Sequence, residues 1–363
     1  MIFYFTLLGI TVLLSFISTQ EKKSARHKYG FFFFLTFILL VIAAGIRVGT
    51  GTDTTLYNSF FEYYPTLSLK EIWLNTSEPG LWSLSWFIGR FSENTYWTFI
   101  VVAAIIVGLI MMTIKKYSTN YVLSMFLYLA GMDYFSSYNG LRQWIVAAIV
   151  FFMMPLLADE KKPIKSKIVY CILLIPLFLI HNSAVLLFPI VFVVIQKPWS
   201  KRIWIVIIGA ILAVIYFGQF LNILSGILGN SDYAQYTNIS ASDDGVNIFR
   251  VLVAFVPVIL CAWKYKLINP DGNKMIDIYI NFSLMNFLVL LIATRMTVLA
   301  RLIYYLSIYN VLLFPLIPRA FNKSSRKIVL ILMVLFFALY MYLLLPMDSN
   351  LIPYKDIFGH VFY

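Results

Sequence analysis

The chain of 363 residues is 61% hydrophobic and only 12% charged, with a mean hydropathy of +0.85, which excludes an ordinary soluble protein, where charged residues make up about 25%. Its formal charge of +12 does not point to nucleic acid, because most basic residues lie in short loops between apolar segments, where they orient helices and meet anionic membrane lipid. Cys171 and Cys261 both fall inside apolar runs and read as small core residues, so neither a disulfide framework nor a metal set is expected.

The composition predicts an all-α polytopic membrane protein forming one integral membrane domain over 1–363. The first apolar segment, Met1 to Thr19, has no basic leader and no small-residue cleavage site, and positive charge follows it. It reads as a retained helix with an external N-terminus. Further spans are expected at 29–46, 95–114, 119–135, 141–158, 203–221, 248–263, 275–294, 298–317 and 328–346. The run 168–196, which contains Pro176, His181 and Pro189, has Lys161, Lys162, Lys165 and Lys167 before it and Lys197, Lys201 and Arg202 after it. Both ends therefore belong on the cytoplasmic side, and the chain must turn back. Its halves, 168–180 and 184–196, would each be about 20 Å long as helices, short of a hydrocarbon core of about 30 Å. A short hairpin with His181, Asn182 and Ser183 at its tip follows, giving about 12 membrane helices with both termini outside. Two external segments remain, 47–94 and 222–247. The first contains Glu78-Pro79-Gly80-Leu81-Trp82 and an aromatic stretch to Phe91, expected as an interfacial or re-entrant helix; within the second, Gly229 to Asn247 reads as a mobile loop.

The two basic residue types obey different rules along this topology. Of 18 lysines, 16 fall in the inside loops, whereas six of the ten arginines, Arg47, Arg90, Arg142, Arg250, Arg295 and Arg301, fall at the outer ends of the segments. The positive-inside bias treats both cations alike. Bidentate recognition of phosphate does not, and it favours guanidinium.

Arg47 opens a loop with Gly49, Gly51, Thr52, Asp53 and Tyr57, which suits either close backbone approach to a ligand or a helix cap followed by an Asx-type turn. Asn139-Gly140-Leu141-Arg142-Gln143 stands at the outer start of a helix, where the dipole adds to an anion site; the plain alternative is a tight turn with a snorkelling Arg142. Arg250 begins another span. Arg301, Tyr304 and Tyr305 would share one helical face beside Arg295. His181 is either a buried hydrogen-bonded histidine or a general base on the arginine side. Asp53 and Glu78 are candidate bases or sugar-hydroxyl acceptors, with pairing to an external arginine as the alternative. Trp82, Trp86, Tyr57, Tyr134 and Tyr138 suit sugar stacking, but interfacial belts contain the same residues. No His or Cys set has the spacing of a metal site.

The order of Arg47 through Asp53 and Tyr57, Glu78-Pro79-Gly80, Asn139 through Gln143, His181-Asn182-Ser183-Ala184 and Ile352-Pro353-Tyr354 resembles the EpsG family of bacterial exopolysaccharide proteins, themselves similar to Wzy-type polysaccharide polymerases. The resemblance implies a GT-C-like, inverting, metal-independent glycosyltransferase without a cofactor. It would polymerise undecaprenyl-diphosphate-linked oligosaccharide repeat units at the outer face of the inner membrane, beside a chain-length regulator and a flippase of the same pathway. Asp53, Glu78, Arg142 and His181 would carry the chemistry. Arg47, Arg142, Gln143, Arg250, Arg295, Arg301, Tyr57, Tyr304, Tyr305 and Asn139 would hold diphosphate and sugar. A lipid-linked oligosaccharide transporter, or a ligase passing finished glycan to another acceptor, fits the same features.

Overall fold

A computed structural model of the protein describes residues 1–21, 29–219, 223, 245–347 and 350–363. Most of the second external segment, including nearly all of the loop expected at Gly229 to Asn247, lies outside the described residues. The described elements are helical, apart from a small antiparallel ribbon of β1 (Tyr354–Lys355) and β2 (Val361–Phe362), with Tyr354 opposite Phe362.

Six helical stretches are long and apolar enough to cross a membrane: α1 (Ile2–Gln20), α6 (Tyr96–Tyr117), Leu141–Ala158, α14 (Ile248–Ile268), α15 (Lys274–Ala293) and α17 (Lys323–Leu344). The bent pair Thr297–Tyr305 and Ser307–Ala320, with 45° between its halves, makes a seventh if it forms one span. The protein is thus an all-α, multi-pass membrane protein. Other expected spans are shorter for visible reasons. Helix α2 (Phe31–Gly45) has 15 residues, about 22 Å. Helix α7 (Tyr121–Ala130) stops where Gly131 and the left-handed Met132 (φ 75°) break the helix, so 119–135 is not continuous. In the 168–196 run, α11 (Pro163–Leu174) passes into 3₁₀ helix at Ile175–Leu179 beside Pro176, and a second 3₁₀ stretch, Asn182–Leu186, leads into α12 (Leu187–Val194). The two 3₁₀ stretches pack on each other across the reversal at His181.

The described residues form two compact units, Met1–Phe188 with Phe321–Tyr363, and Pro189–Ala320. In the first, α2 packs along α6, α6 along α9 (Leu141–Met153), and α1 against α2 and α7. Gly45 permits the α2–α6 approach, since a Cβ there would lie 2.4 Å from the Ile100 side chain.

The C-terminus of α2 is buried, and its last carbonyls need partners. The Ala43 carbonyl accepts from the hydroxyls of Tyr138 (3.3 Å) and Tyr354 (2.9 Å), and the Ala44 carbonyl accepts from Arg47 Nη1. Arg47 Nη2 donates to the Tyr138 carbonyl at 3.1 Å, and its guanidinium carbon lies 4.5 Å and 5.0 Å from the ring centres of Tyr138 and Phe99. At 2% exposure, Arg47 serves as a cationic cap at the negative end of a helix dipole. Of the two readings of this loop, the structure shows the capping one, with Nη1 and Nη2 on backbone carbonyls and Nε buried without a partner among the described residues. The same contacts hold the C-terminal ribbon, through Tyr354 and the isolated bridge between Arg47 and Asp356.

In the second unit, α14 and α15 pack side by side, with α13 (Lys201–Ile215) and Thr297–Tyr305 against α15. Val246, Val251, Ala254, Leu290, Ala293 and Ile303 form a buried cluster there. At the other end, Asp277 accepts from the Tyr265 hydroxyl (2.8 Å) and from Asn269 Nδ2 (2.7 Å), closing the turn between the two helices.

Replacing Arg47 with Ala removes the cap and leaves two buried carbonyls short of a donor. We expect a stability loss of about 3 kcal/mol, as for other losses of a buried charged hydrogen-bonding group. The thermal midpoint of detergent-purified protein measures this, and a variant as stable as wild type would refute the capping role.

Candidate functional site

The site of interest lies in the first unit and is built by three distant stretches. Glu78 occupies the N-cap position of α5 (Pro79–Gly89), where Pro79 at the first helical position supplies a preset φ and needs no amide partner. The Glu78 side chain does not cap its own helix. Instead Oε2 pairs with Arg142 Nη1, and Oε1 accepts the Asn182 backbone N–H at 2.7 Å while lying 2.8 Å from His181 Nδ1. Asn182 Nδ2 also donates to Ser77 Oγ at 2.8 Å. Gly80 makes the approach possible: a Cβ at that position would sit 2.8 Å from the Leu179 carbonyl oxygen.

Burial by itself would raise the Glu78 carboxyl, but the His181 ring, the Arg142 charge and the Asn182 N–H outweigh it and hold the group below its ordinary 4.5. Arg142 lies at the start of α9, with its guanidinium carbon 5.2 Å from the Trp82 ring centre. Trp82 in turn stacks on Tyr64 at 4.5 Å with 10° between planes. Arg142 Nε is buried and has no partner among the described residues. Burial raises the phenol of Tyr57 on α3 (Thr54–Tyr63), an effect that the nearby Arg142 charge opposes.

Asp53, Asn139 and Gly140 form a lock beside this cluster. Asp53 Oδ2 accepts the Gly140 N–H at 3.0 Å, and Asn139 Oδ1 accepts both the Asp53 N–H (3.2 Å) and the Thr52 hydroxyl (3.1 Å). Gly51, at φ +95°, passes so close that a Cβ would lie 2.9 Å from Asn139 Oδ1, and Gly140, at φ +57°, opens α9. The glycine-rich loop therefore binds a turn of its own chain, and Asp53 holds the backbone from which Arg142 projects. Gln143 is buried on α9.

The remaining predicted residues belong to the second unit. Arg250 sits in the first turn of α14, Arg295 follows α15, and Arg301 lies in Thr297–Tyr305. The Val246 N–H donates to the Ala293 carbonyl at 2.9 Å, which sets the start of α14 beside the end of α15 and brings Arg250 and Arg295 to one end of that pair. Arg295 and Arg301 are exposed and Arg250 is half-buried. The expected shared face of Arg301, Tyr304 and Tyr305 needs correction. The segment is a 3₁₀ helix, in which i and i+3 align but i+4 does not, and Tyr305 is fully buried while Arg301 is exposed. Arg90 is a local anchor, donating to the Pro65 carbonyl with its guanidinium carbon 4.7 Å from the Trp86 ring centre.

Asn182 and Gly80 complete the cluster; the sequence places Asn182 at the tip of the 168–196 run and Gly80 beside Glu78, but gives neither a role in a site. Their signal was faint: Asn182 adjoins His181, and Gly80 adjoins Glu78, yet nothing local says that the two stretches meet. Among the described residues, no three His, Cys, Asp or Glu side chains gather as a metal site.

Helices and site together define a polytopic membrane protein with a carboxylate, a guanidinium and an imidazole joined in one partly buried cluster. The chain belongs to the EpsG family, membrane proteins linked to exopolysaccharide synthesis, and matches it over residues 30–355. Comparisons with curated proteins and with solved structures gave no match.

A depressed carboxyl stabilises the fold above its ordinary value and loses that contribution as pH falls through the folded-state value. Wild type and Glu78→Gln should thus differ in thermal midpoint by a steady amount from about pH 6 to 8, and the gap should close on acidification below 4.5. A gap that widens in acid would contradict the pairing.

Proposed function

We propose that the protein is a polysaccharide polymerase acting at the outer face of a bacterial inner membrane. Its shorter apolar helices complete a GT-C-like arrangement of about 12 membrane helices with both termini outside. A growing glycan on undecaprenyl diphosphate is attacked at its anomeric carbon by a sugar hydroxyl of an incoming lipid-linked unit, with inversion, and lipid diphosphate leaves. The donor already carries the activation, so the protein has to place the partners, accept one proton and stabilise the charge that develops on the leaving group. A chain-length regulator and a flippase of the same pathway would be its partners.

The observation that carries this reading is the convergence of Glu78, Arg142 and His181 from three distant stretches, with Arg142 Nε buried and without a hydrogen-bond partner among the described residues. A guanidinium held by one carboxylate oxygen can still present its other donors to a diphosphate. Tyr57, Tyr64 and Trp82 supply the neighbouring apolar and hydroxyl surface. Arg250, Arg295 and Arg301 are assigned to diphosphate binding as part of the same proposal.

Purified protein given a defined lipid-linked oligosaccharide should produce a ladder of products, and the ladder should persist in EDTA. Arg142→Ala should lower kcat/KM about 10²-fold or more. A single unit placed on a foreign acceptor would indicate a ligase, and unchanged material on the opposite leaflet a transporter. Loss of the ladder under chelation would overturn metal independence, and a fully active Arg142→Ala variant would overturn the diphosphate role.

A further inference from the structure

Glu78 and His181 both have the composition of a general base, and the geometry separates their roles. Both Glu78 oxygens are engaged: Oε2 by Arg142 Nη1, and Oε1 by the Asn182 N–H at 2.7 Å and His181 Nδ1 at 2.8 Å. A carboxylate tied down in this way, with its proton affinity lowered by its neighbours, is poorly placed to take a proton from substrate. His181 is arranged differently. Its Nδ1 is buried and has no polar partner among the described residues other than the facing Glu78 oxygen. An imidazole nitrogen that faces a carboxylate carries the ring proton, which leaves the other nitrogen bare as an acceptor.

We propose that Glu78 is a positioning residue that fixes His181 as the Nδ1–H tautomer, so that Nε2 of His181 is the base of the glycosyl-transfer step. The assignment rests on the polymerase reading above. In that step the acceptor hydroxyl gives its proton to His181 Nε2, and its oxygen forms the new bond to the anomeric carbon. The bond from that carbon to the diphosphate oxygen breaks, and the electron pair leaves with the diphosphate. The imidazolium so formed faces Glu78, and it returns its proton to water before the next cycle. Around the cluster among the described residues stand Arg142 on α9, Tyr57 and Tyr64 beside it, and Asp53, whose charge also reaches Tyr57.

The packing explains how the tautomer is kept. The Asn182 N–H and the close fit of Gly80 under the Leu179 carbonyl fix the reversal that holds His181, while Arg142 fixes the other end of the carboxylate. Glu78 cannot turn away from the ring without breaking one of these contacts.

The chain has only three histidines, His27, His181 and His360, so ring-¹⁵N-histidine labelling gives a spectrum simple enough to assign with His181→Gln. In lipid nanodiscs without substrate, neutral His181 should show a protonated Nδ1 and a bare Nε2, and Glu78→Ala should release it to a mixture of tautomers. A wild-type His181 with the proton on Nε2, or an unchanged tautomer in a folded Glu78→Ala protein, would overturn the proposal. The second arm is kinetic. Glu78→Gln and His181→Gln should each lower kcat by about 10²-fold or more, and the double variant should be no slower than His181→Gln alone. Losses that multiply would mean that Glu78 acts independently of His181, and would refute the assignment. Should wild type yield no product ladder, the polymerase reading fails, while the nitrogen spectrum still decides the tautomer. Should the Glu78 variants fail to fold, the wild-type spectrum alone decides it.

Discussion

One carboxylate organises the candidate site. Glu78 is nearly buried, and a buried carboxylate must be paired and hydrogen-bonded or it will not stay ionised. Here the partners come from a helix start near residue 142 and from a chain reversal near residue 181, so satisfying one charge joins three regions that are remote in sequence. Such an arrangement is costly to break from any side. Loss of Glu78 leaves a partly buried guanidinium without its carboxylate, and loss of Arg142 leaves a buried anion with only the imidazole and one backbone N–H beside it.

A second buried charge plays a different part in the same unit. Helix α2 ends inside the protein because it is too short to carry its C-terminus clear of the fold, and its carbonyls are capped by Arg47 and two tyrosine hydroxyls. Arg47 thereby ties α2 to the turn before α9, while Asp53, six residues later, ties the following loop to the amide of Gly140. Both ties converge on the backbone that presents Arg142. The aromatic cage around Arg47 and the polar lock at Asp53 are therefore supports for the site at one remove, and among the described residues each of the two guanidiniums, Arg47 and Arg142, keeps a buried Nε without a hydrogen-bond partner.

Much of this was legible in the residues. The apolar runs gave the all-α, multi-pass class, and the prolines and polar residues within 168–196 marked the break in that run at His181. The segments Glu78-Pro79-Gly80, Arg142 and His181 stood out by residue type. What could not be read was which of them touch, because Glu78 is separated from Asn182 by 104 positions and no local pattern encodes that contact. Hydrophobicity also hid where helices end. It counts Gly131 and Met132 as apolar, whereas the left-handed backbone at Met132 breaks the run, and it assumes 3.6 residues per turn for Thr297–Tyr305, where a 3₁₀ winding turns Tyr305 away from Arg301. Between the two readings of the Arg47 loop the residues could not choose, for a related reason. An arginine just past a helix caps that helix when the end is buried, and burial is not visible in one sequence.

The six arginines expected on the outer side therefore divide by what they already bind. Arg47 and Arg90 are engaged by backbone carbonyls and rings, Arg142 by Glu78, while Arg250, Arg295 and Arg301 make no ion pair with the described residues. In the resting cluster Arg142 and Glu78 cancel, so a diphosphate would meet little net positive charge there if His181 stayed neutral. In the proposed reaction it does not stay neutral. Proton transfer from the acceptor hydroxyl makes His181 cationic as negative charge develops on the departing diphosphate, and Glu78 stabilises that cation without leaving Arg142. A cluster that is balanced at rest and gains a positive charge only during bond exchange favours the transition state over the bound substrate, which is the condition for lowering the barrier and not merely tightening binding.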